Sequence, residues 1–249
     1  KKMITGIILK VAKIAKSITI TETILRKFLL SEFAKNNLSP NLLVLLRDVV
    51  VGTERKMDEK IVLHRFWKQD SPILNKAEDY INPNYKSEFL YSFLPKLEHS
   101  LPIIELGCNV GRNLNYLFTK GFYNLSGVEI NEHAIKLMEK TYPEFYRQAT
   151  IYNDSIEVTI KKIPEKSFEL VFTMAVLEHI HPSSEFIFNE MIRISKKYII
   201  TVEDEVNDSH RHKARNYKKI FENLGTKEIK SSNQLPKNRA FVARLFRVK

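Results

Sequence analysis

Seven consecutive residues, Glu105-Leu106-Gly107-Cys108-Asn109-Val110-Gly111, place an acid and two glycines between an apolar run and a helical pattern that begins at Arg112. A glycine-rich strand-to-helix turn lets the backbone approach a ligand closely and aims a helix N-terminus at it. Glu129 ends a second apolar run, 18 residues after Gly111. In a nucleotide-binding domain a carboxylate so placed accepts hydrogen bonds from ribose hydroxyls. Glu178, His179 and His181 cluster behind a later apolar run at 168–176. Imidazole titrates near neutral pH, so either histidine is a candidate general base, packing or loop structure being the alternative. Cys108, the single cysteine, lies inside the glycine turn and reads as a small packing residue. His210, Arg211, His212 and Lys213 suit either an anionic ligand or a solvated loop. Two histidines at i, i+2 with no nearby cysteine make a weak case for a metal, and no metal site is expected.

These residues must be positioned by alternating strands and helices. Strands are expected at 102–108, 124–130, 149–154, 168–176 and 198–203, with helices at 112–120, 131–140, 183–195 and 215–224 and a short one ending at 163. Two last extended runs, 226–234 and 240–248, are joined by Leu235-Pro236-Lys237-Asn238, which suits an antiparallel hairpin. The pattern predicts an α/β class domain, a Rossmann-like, doubly wound, mostly parallel seven-stranded sheet with a C-terminal antiparallel hairpin. Residues 1–70 read instead as a helical N-terminal extension, and residues 71–249 as the domain that carries the chemistry. Ile4, Ile7, Ile8, Val11, Ala15 and Ile18 share one helical face, opposite Lys10, Lys13 and Lys16. Two more apolar helices, at 21–35 and 40–51, follow it.

Composition excludes several classes. Of the 249 residues 43% are hydrophobic, which supports a core and rules out wholesale disorder. One cysteine excludes a disulfide framework and points to a reducing, cytoplasmic compartment. No uncharged apolar run reaches the roughly 18 residues of a membrane span. The net charge of +11 is uneven: +6 over 1–60, −3 over 61–204 and +8 over 205–249. The chemistry-bearing middle is thus slightly acidic, and the basic ends suit anionic partners or simple lysine richness.

At Glu105–Gly111 the chain resembles the class I S-adenosylmethionine-dependent methyltransferases, whose first motif reads acid-x-Gly-x-Gly-x-Gly. Asn109 replaces the middle glycine, and asparagine tolerates the left-handed backbone better than most residues. The run FELVFTMAVLEHI at 168–180 is similar to the fourth-strand motif of the type 11 members. The resemblance implies that S-adenosylmethionine, and its product S-adenosylhomocysteine, is held by Glu105, Gly107, Cys108, Asn109, Gly111 and Asn113 at the first turn. It implies contacts with Glu129 and Ile130 at the ribose and with Asn153, Asp154 and Ser155 at the adenine. Thr173, Met174 and Ala175 follow at the fourth strand, and Tyr85 covers the methionine end. His179 stands where the family approaches the cofactor. A dehydrogenase is the weaker reading, because a dinucleotide site wants glycine at Asn109 and a small residue at Leu114.

The family's chemistry needs a methyl acceptor aligned with the S–CH3 bond and water kept out. A cytosine C5 acceptor needs a catalytic cysteine near the fourth strand, and the single cysteine is Cys108. An exocyclic-amine acceptor goes with Asn/Asp-Pro-Pro-Tyr there, where this chain has Met174-Ala175-Val176-Leu177; Asn82-Pro83-Asn84-Tyr85 precedes the first motif instead. With no nucleic-acid module in view, a small-molecule acceptor is favoured over nucleic acid, protein, or a membrane-resident lipid or quinone. Phe66 and Trp67 read equally as acceptor-pocket lining and as core. A non-catalytic cofactor-binding module is the competing class. The stripe from Ile4 to Ile18 is expected to pack on the chain itself or on a second subunit in a homodimer; peripheral membrane contact through that helix is the alternative.

Overall fold

The computed structural model describes residues 59–68, 75–82, 84–209, 211–236 and 240–249. The chain divides into two compact units, residues 1–62 and 63–249. The expected N-terminal helices up to residue 51 and the boundary at residues 70–71 lie outside the described residues, as does His210, whereas residues 59–68 of the expected helical extension are described and form a helix.

Seven strands form one sheet in the order β3-β2-β1-β4-β5-β7-β6. They are β1 (Ile103–Leu106), β2 (Leu125–Glu129), β3 (Thr150–Asn153), β4 (Phe168–Met174), β5 (Ser195–Asp204), β6 (Lys227–Ser232) and β7 (Phe241–Arg247). The first five pair in parallel, whereas β7 runs antiparallel to both β5 and β6. The expected sheet and its terminal hairpin are therefore present. The edge strands β3 and β6 are largely exposed and polar, which discourages pairing with another chain.

Successive side chains of a strand point to opposite faces, and here both faces are apolar and covered. Ile103, Leu170 and Phe172 join one core, with Leu90 and Phe93 of α2 (Tyr85–Phe93), Leu114 and Leu117 of α3 (Arg112–Thr119), and Met138 of α4 (Glu132–Thr141). Ile104, Leu106 and Val171 join the other. There they meet Ile187, Met191 and Ile194 of α7 (Phe186–Ile194) and Tyr217 and Phe221 of α8 (Tyr217–Asn223). The remaining helices are α1 (Glu59–Lys68), α5 (Pro143–Gln148) and α6 (Ile156–Thr159).

Local signals explain the starts. The Asn131 side chain accepts from the main-chain N–H groups of His133 and Ala134, and the Asn216 side chain from Lys219 N–H, so each caps its helix. Helix α7 starts at Phe186 rather than 183, because Pro182–Ser184 forms a separate 3-10 turn. Helices α2 and α5 stand where the sequence pattern announces none. Among the described residues no helix is long and apolar enough to cross a membrane.

Candidate functional site

The strand order reverses between β1 and β4, each having the next strand in sequence on its far side. Such a switch point opens a crevice beyond the C-terminal ends of the strands. A cavity of about 1160 Å³, open solvent at its mouth included, occupies this end of the sheet.

The glycine turn forms one wall. Gly107 and Gly111 have φ of 76° and 69°, and Asn109 adopts φ 49°, the left-handed geometry expected of it. The Asn109 side chain accepts from Val110 N–H at 2.8 Å, a local bond that supports the turn. At Gly107 an added Cβ would come within 2.6 Å of the Val176 side chain, so glycine is required twice over. Cys108 packs against Gly127 on β2, and burial pushes its thiol well above the ordinary range. That environment matches its reading as a packing residue.

Two buried carboxyls face this wall. Glu105 is 2% exposed; its Oε1 accepts from Asn113 Nδ2 at 2.7 Å, and its Oε2 is buried without a partner. Burial raises its pKa to about 8 despite the Asn113 bond. At Glu129, burial raises the pKa to about 7 against hydrogen bonds from Asn131 N–H, at 2.8 Å, and Asn109 N–H, at 2.7 Å. A carboxylate offers about four lone-pair sites on its two oxygens, so Glu129 can still accept from further donors. Asn113 in turn accepts from Ser87 Oγ at 2.8 Å, so a relay runs from α2 through α3 to β1.

Of the residues singled out in the sequence, Glu105, Gly107, Cys108, Asn109, Asn113, Glu129 and Ile130 line the cavity. So do Ser155, Met174, Ala175, His179 and His181. Asn153 and Asp154 line a separate hollow at the β3 edge instead. Asn153 Nδ2 donates to Glu129 O, which ties β3 to the end of β2. Gly111, Thr173 and Tyr85 are not among the lining residues; Thr173 is fully buried within β4.

Trp67 and His179 also line the cavity, their ring centres 4.5 Å apart and the planes tilted by 46°, with Phe66 edge-on to Trp67 at 5.0 Å. Trp67 thus reaches the cavity, and its buried indole N–H has no partner. Burial drives the His179 pKa down to about 4, so the ring is neutral at pH 7. Its Nδ1–H donates to Arg211 O at 2.9 Å, since a carbonyl only accepts, and the lone pair is left on Nε2. His181 Nδ1 accepts from Ser183 N–H at 3.2 Å, which in the neutral ring puts the proton on Nε2.

The turn that carries these residues is pinned from both sides. Ala175, at φ 57°, is a non-glycine residue in the left-handed region. Beyond it, buried Glu203 of β5 accepts from Val176 N–H at 2.8 Å and Leu177 N–H at 2.9 Å. Arg215 donates to Leu177 O at 2.9 Å and Ile180 O at 3.0 Å.

Several lining residues carry little sequence signal. Arg112 donates to Tyr80 O and Ser87 Oγ at the cavity wall. A cation in the first helical turn opposes the helix dipole, and that mismatch is its one visible sign. Lys86, with its pKa lowered by burial and then by Arg112, also faces the cavity. His64 and Glu157 pair at 2.8 Å; burial pushes the Glu157 carboxyl up, but hydrogen bonds from His64, the Glu157 main chain and Ser184 outweigh it and hold it at about 2.

Residues 104–198 match a family described as a methyltransferase domain. No curated protein matches the chain. Solved structures do. An S-adenosylmethionine-dependent methyltransferase from Mesorhizobium loti is 12% identical, over 67% of this chain and 99% of its own, with a TM-score of 0.55. A counterpart from Archaeoglobus fulgidus is 16% identical, over 76% and 100%, with a TM-score of 0.52. The [4+2]-cyclase SpnF is similar in fold as well, at 8% identity over 66% and 80%, with a TM-score of 0.54.

Proposed function

We propose that this chain is a class I S-adenosylmethionine-dependent methyltransferase, and that it transfers the methyl group to a small-molecule acceptor held between the glycine turn and Trp67. One observation carries the reading: the unpartnered Glu105 Oε2, buried at the wall of a cavity that Trp67 and His179 also line. A buried carboxyl oxygen with no donor is costly unless a cation or donor completes it. The cofactor supplies a positively charged, already activated methyl group when bound. Glu105, Asn113 and the left-handed turn at Gly107 and Asn109 would hold its amino-acid end, and Glu129 its ribose hydroxyls.

The protein's own work is then alignment and exclusion of water. Val176, Ile180, Leu63 and Trp67 line the cavity and replace water with apolar surface. The two rings are held in place by their other contacts: His181 Nδ1 accepts from Ser183 N–H, and His179 Nδ1–H donates to Arg211 O. Proximity therefore carries the rate in this reading, and an acceptor whose lone pair is available at neutral pH suits it best. SpnF marks the alternative, since a [4+2]-cyclase is built on a similar fold; an acceptor assay separates the two.

Calorimetry should show S-adenosylmethionine and S-adenosylhomocysteine binding but not NAD. Glu129→Ala should weaken binding by about 1.5–3 kcal/mol, the range for hydrogen bonds to a charged group. Isotopically labelled methyl groups should pass to members of a small-molecule panel and not to RNA, protein or liposomes. Binding of NAD without S-adenosylmethionine would overturn the reading.

A further inference from the structure

Behind the cavity wall, three side chains turn one donor atom each toward a common point. Glu178 is 2% exposed and follows β4; His179 is its neighbour; His212 comes from the segment after β5. Their ligand atoms lie within 4.8 Å of one another. His179 Nε2 is 3.4 Å and His212 Nε2 3.8 Å from Glu178 Oε1. Both distances are too long for good hydrogen bonds. They are close to the separation of about 3.3 Å between donors that share a tetrahedral ion with bonds of about 2.0–2.1 Å.

The other polar atom of each side chain is already occupied. Glu178 Oε2 accepts from Asp204 N–H, His179 Nδ1–H donates to Arg211 O, and His212 Nδ1 is hydrogen-bonded to the Ser209 hydroxyl at 3.2 Å. Outer partners of this kind orient the ligands of metal sites and fix the ring tautomer. The His179 ring is further held between Trp67 and His212, each with its ring centre 4.5 Å away. None of this arrangement is needed to bind the cofactor at the glycine turn.

We propose that Glu178, His179 and His212 bind a divalent transition-metal ion of the Zn²⁺, Co²⁺ or Mn²⁺ type, beside the acceptor side of the cavity. Two imidazoles and one carboxylate suit such borderline ions, whereas Mg²⁺ and Ca²⁺ favour all-oxygen sites. Three protein ligands leave a coordination position open, as in catalytic rather than structural zinc sites. The site rests on this geometry alone and does not depend on the methyl-transfer reading.

The test uses the full chain without an affinity tag, stripped with chelator and titrated with Co²⁺ in the absence of any cofactor. One equivalent should bind and give visible absorption bands stronger than those of aqueous Co²⁺. Zn²⁺ should abolish the bands, and millimolar Mg²⁺ should leave them in place. His212→Ala, at a half-exposed residue, should weaken binding by 100-fold or more, and Ser209→Ala by about 10-fold through loss of ligand orientation. His133→Ala, at the half-exposed His133–Glu78 pair, should bind as the parent does. Absence of bound Co²⁺, displacement by Mg²⁺, or parental affinity in His212→Ala would each overturn the proposal. Because no cofactor is present, failure here leaves the methyltransferase reading untouched, and failure of S-adenosylmethionine binding leaves this site untouched.

Discussion

Glu105 is kept in its cavity by an asymmetric arrangement. One oxygen is satisfied by Asn113, and the other is buried with no donor. Burial holds the group at about 8, so at pH 7 it is largely protonated and neutral. A cation placed against Oε2 reverses that balance, because an opposite charge favours the ionised form. Binding S-adenosylmethionine at pH 7 is therefore expected to release a proton. Calorimetry in two buffers of different ionisation enthalpy measures the release directly. Glu105→Gln preserves the shape and should remove that proton from the balance while weakening binding; a parental enthalpy with no dependence on the buffer would rule the release out. The same residue shows what a sequence can disclose at this scale. Its place before two glycines marks it as a ligand-facing acid, but the relay that holds it starts at Ser87 on α2, in a stretch with no motif. Arg112 is similarly silent apart from its mismatch with the helix dipole, and Glu203 reads as the end of an ordinary strand.

The element that decides the site is the 175–181 turn. Its main chain leaves β4 through left-handed Ala175, and a left-handed non-glycine residue persists only where its surroundings over-determine it. Here Glu203 takes the N–H groups of Val176 and Leu177 while Arg215 supplies donors to the carbonyls of Leu177 and Ile180. Arg215→Ala would take the side-chain donor from Ile180 O, leave Leu177 O with the 3.3 Å bond from Ile180 N–H alone, and also remove the bond to Glu185. A hydrogen bond from a charged group contributes about 1.5–3 kcal/mol, and these bonds act together, so a loss of about 3 kcal/mol is expected. Urea unfolding reads the stability, and hydrogen exchange should show amides of the turn opening before those of β4. Uniform exchange across both would mean that Arg215 does not pin the turn. The strands and most helices were legible because apolar period and helix caps such as Asn131 are local signals. This clamp was not, since its parts are 25 to 38 residues apart and neither partner belongs to a motif. Helix α5 escaped for another reason: it is one short stretch with Pro143 in its first turn, too brief to show a helical period.

For the whole molecule, the doubly wound sheet concentrates ionisable groups at one end. The apolar cores cover both faces, so polar side chains that serve the crevice must be buried where the strands stop. The result is several carboxyls pushed up by burial: Glu105 to about 8, Glu129 to about 7, and Glu178 and Glu203 upward as well. A carboxyl raised on folding binds more protons in the folded than in the unfolded chain, so stability falls as pH rises from the unfolded value of 4.5 through the folded one. His179 works in the opposite sense. Burial lowers it from 6.5 to about 4, so it contributes stability that grows as pH rises through that interval and is complete above it. Below about 6.5 the two effects oppose each other; above it only the carboxyls remain. The ligand-free protein should accordingly lose stability between pH 6.5 and 8.5. The loss should be of the order of a few kcal/mol, because each tenfold change in a proton-binding constant corresponds to about 1.4 kcal/mol. Urea midpoints across that range test the sign. Glu105→Gln should flatten the decline, and saturating S-adenosylmethionine should flatten it further by stabilising the ionised Glu105. A midpoint that rises through this window would show that the strand-end carboxyls are already ionised in the free protein, and with that the expected proton release on cofactor binding would fall too.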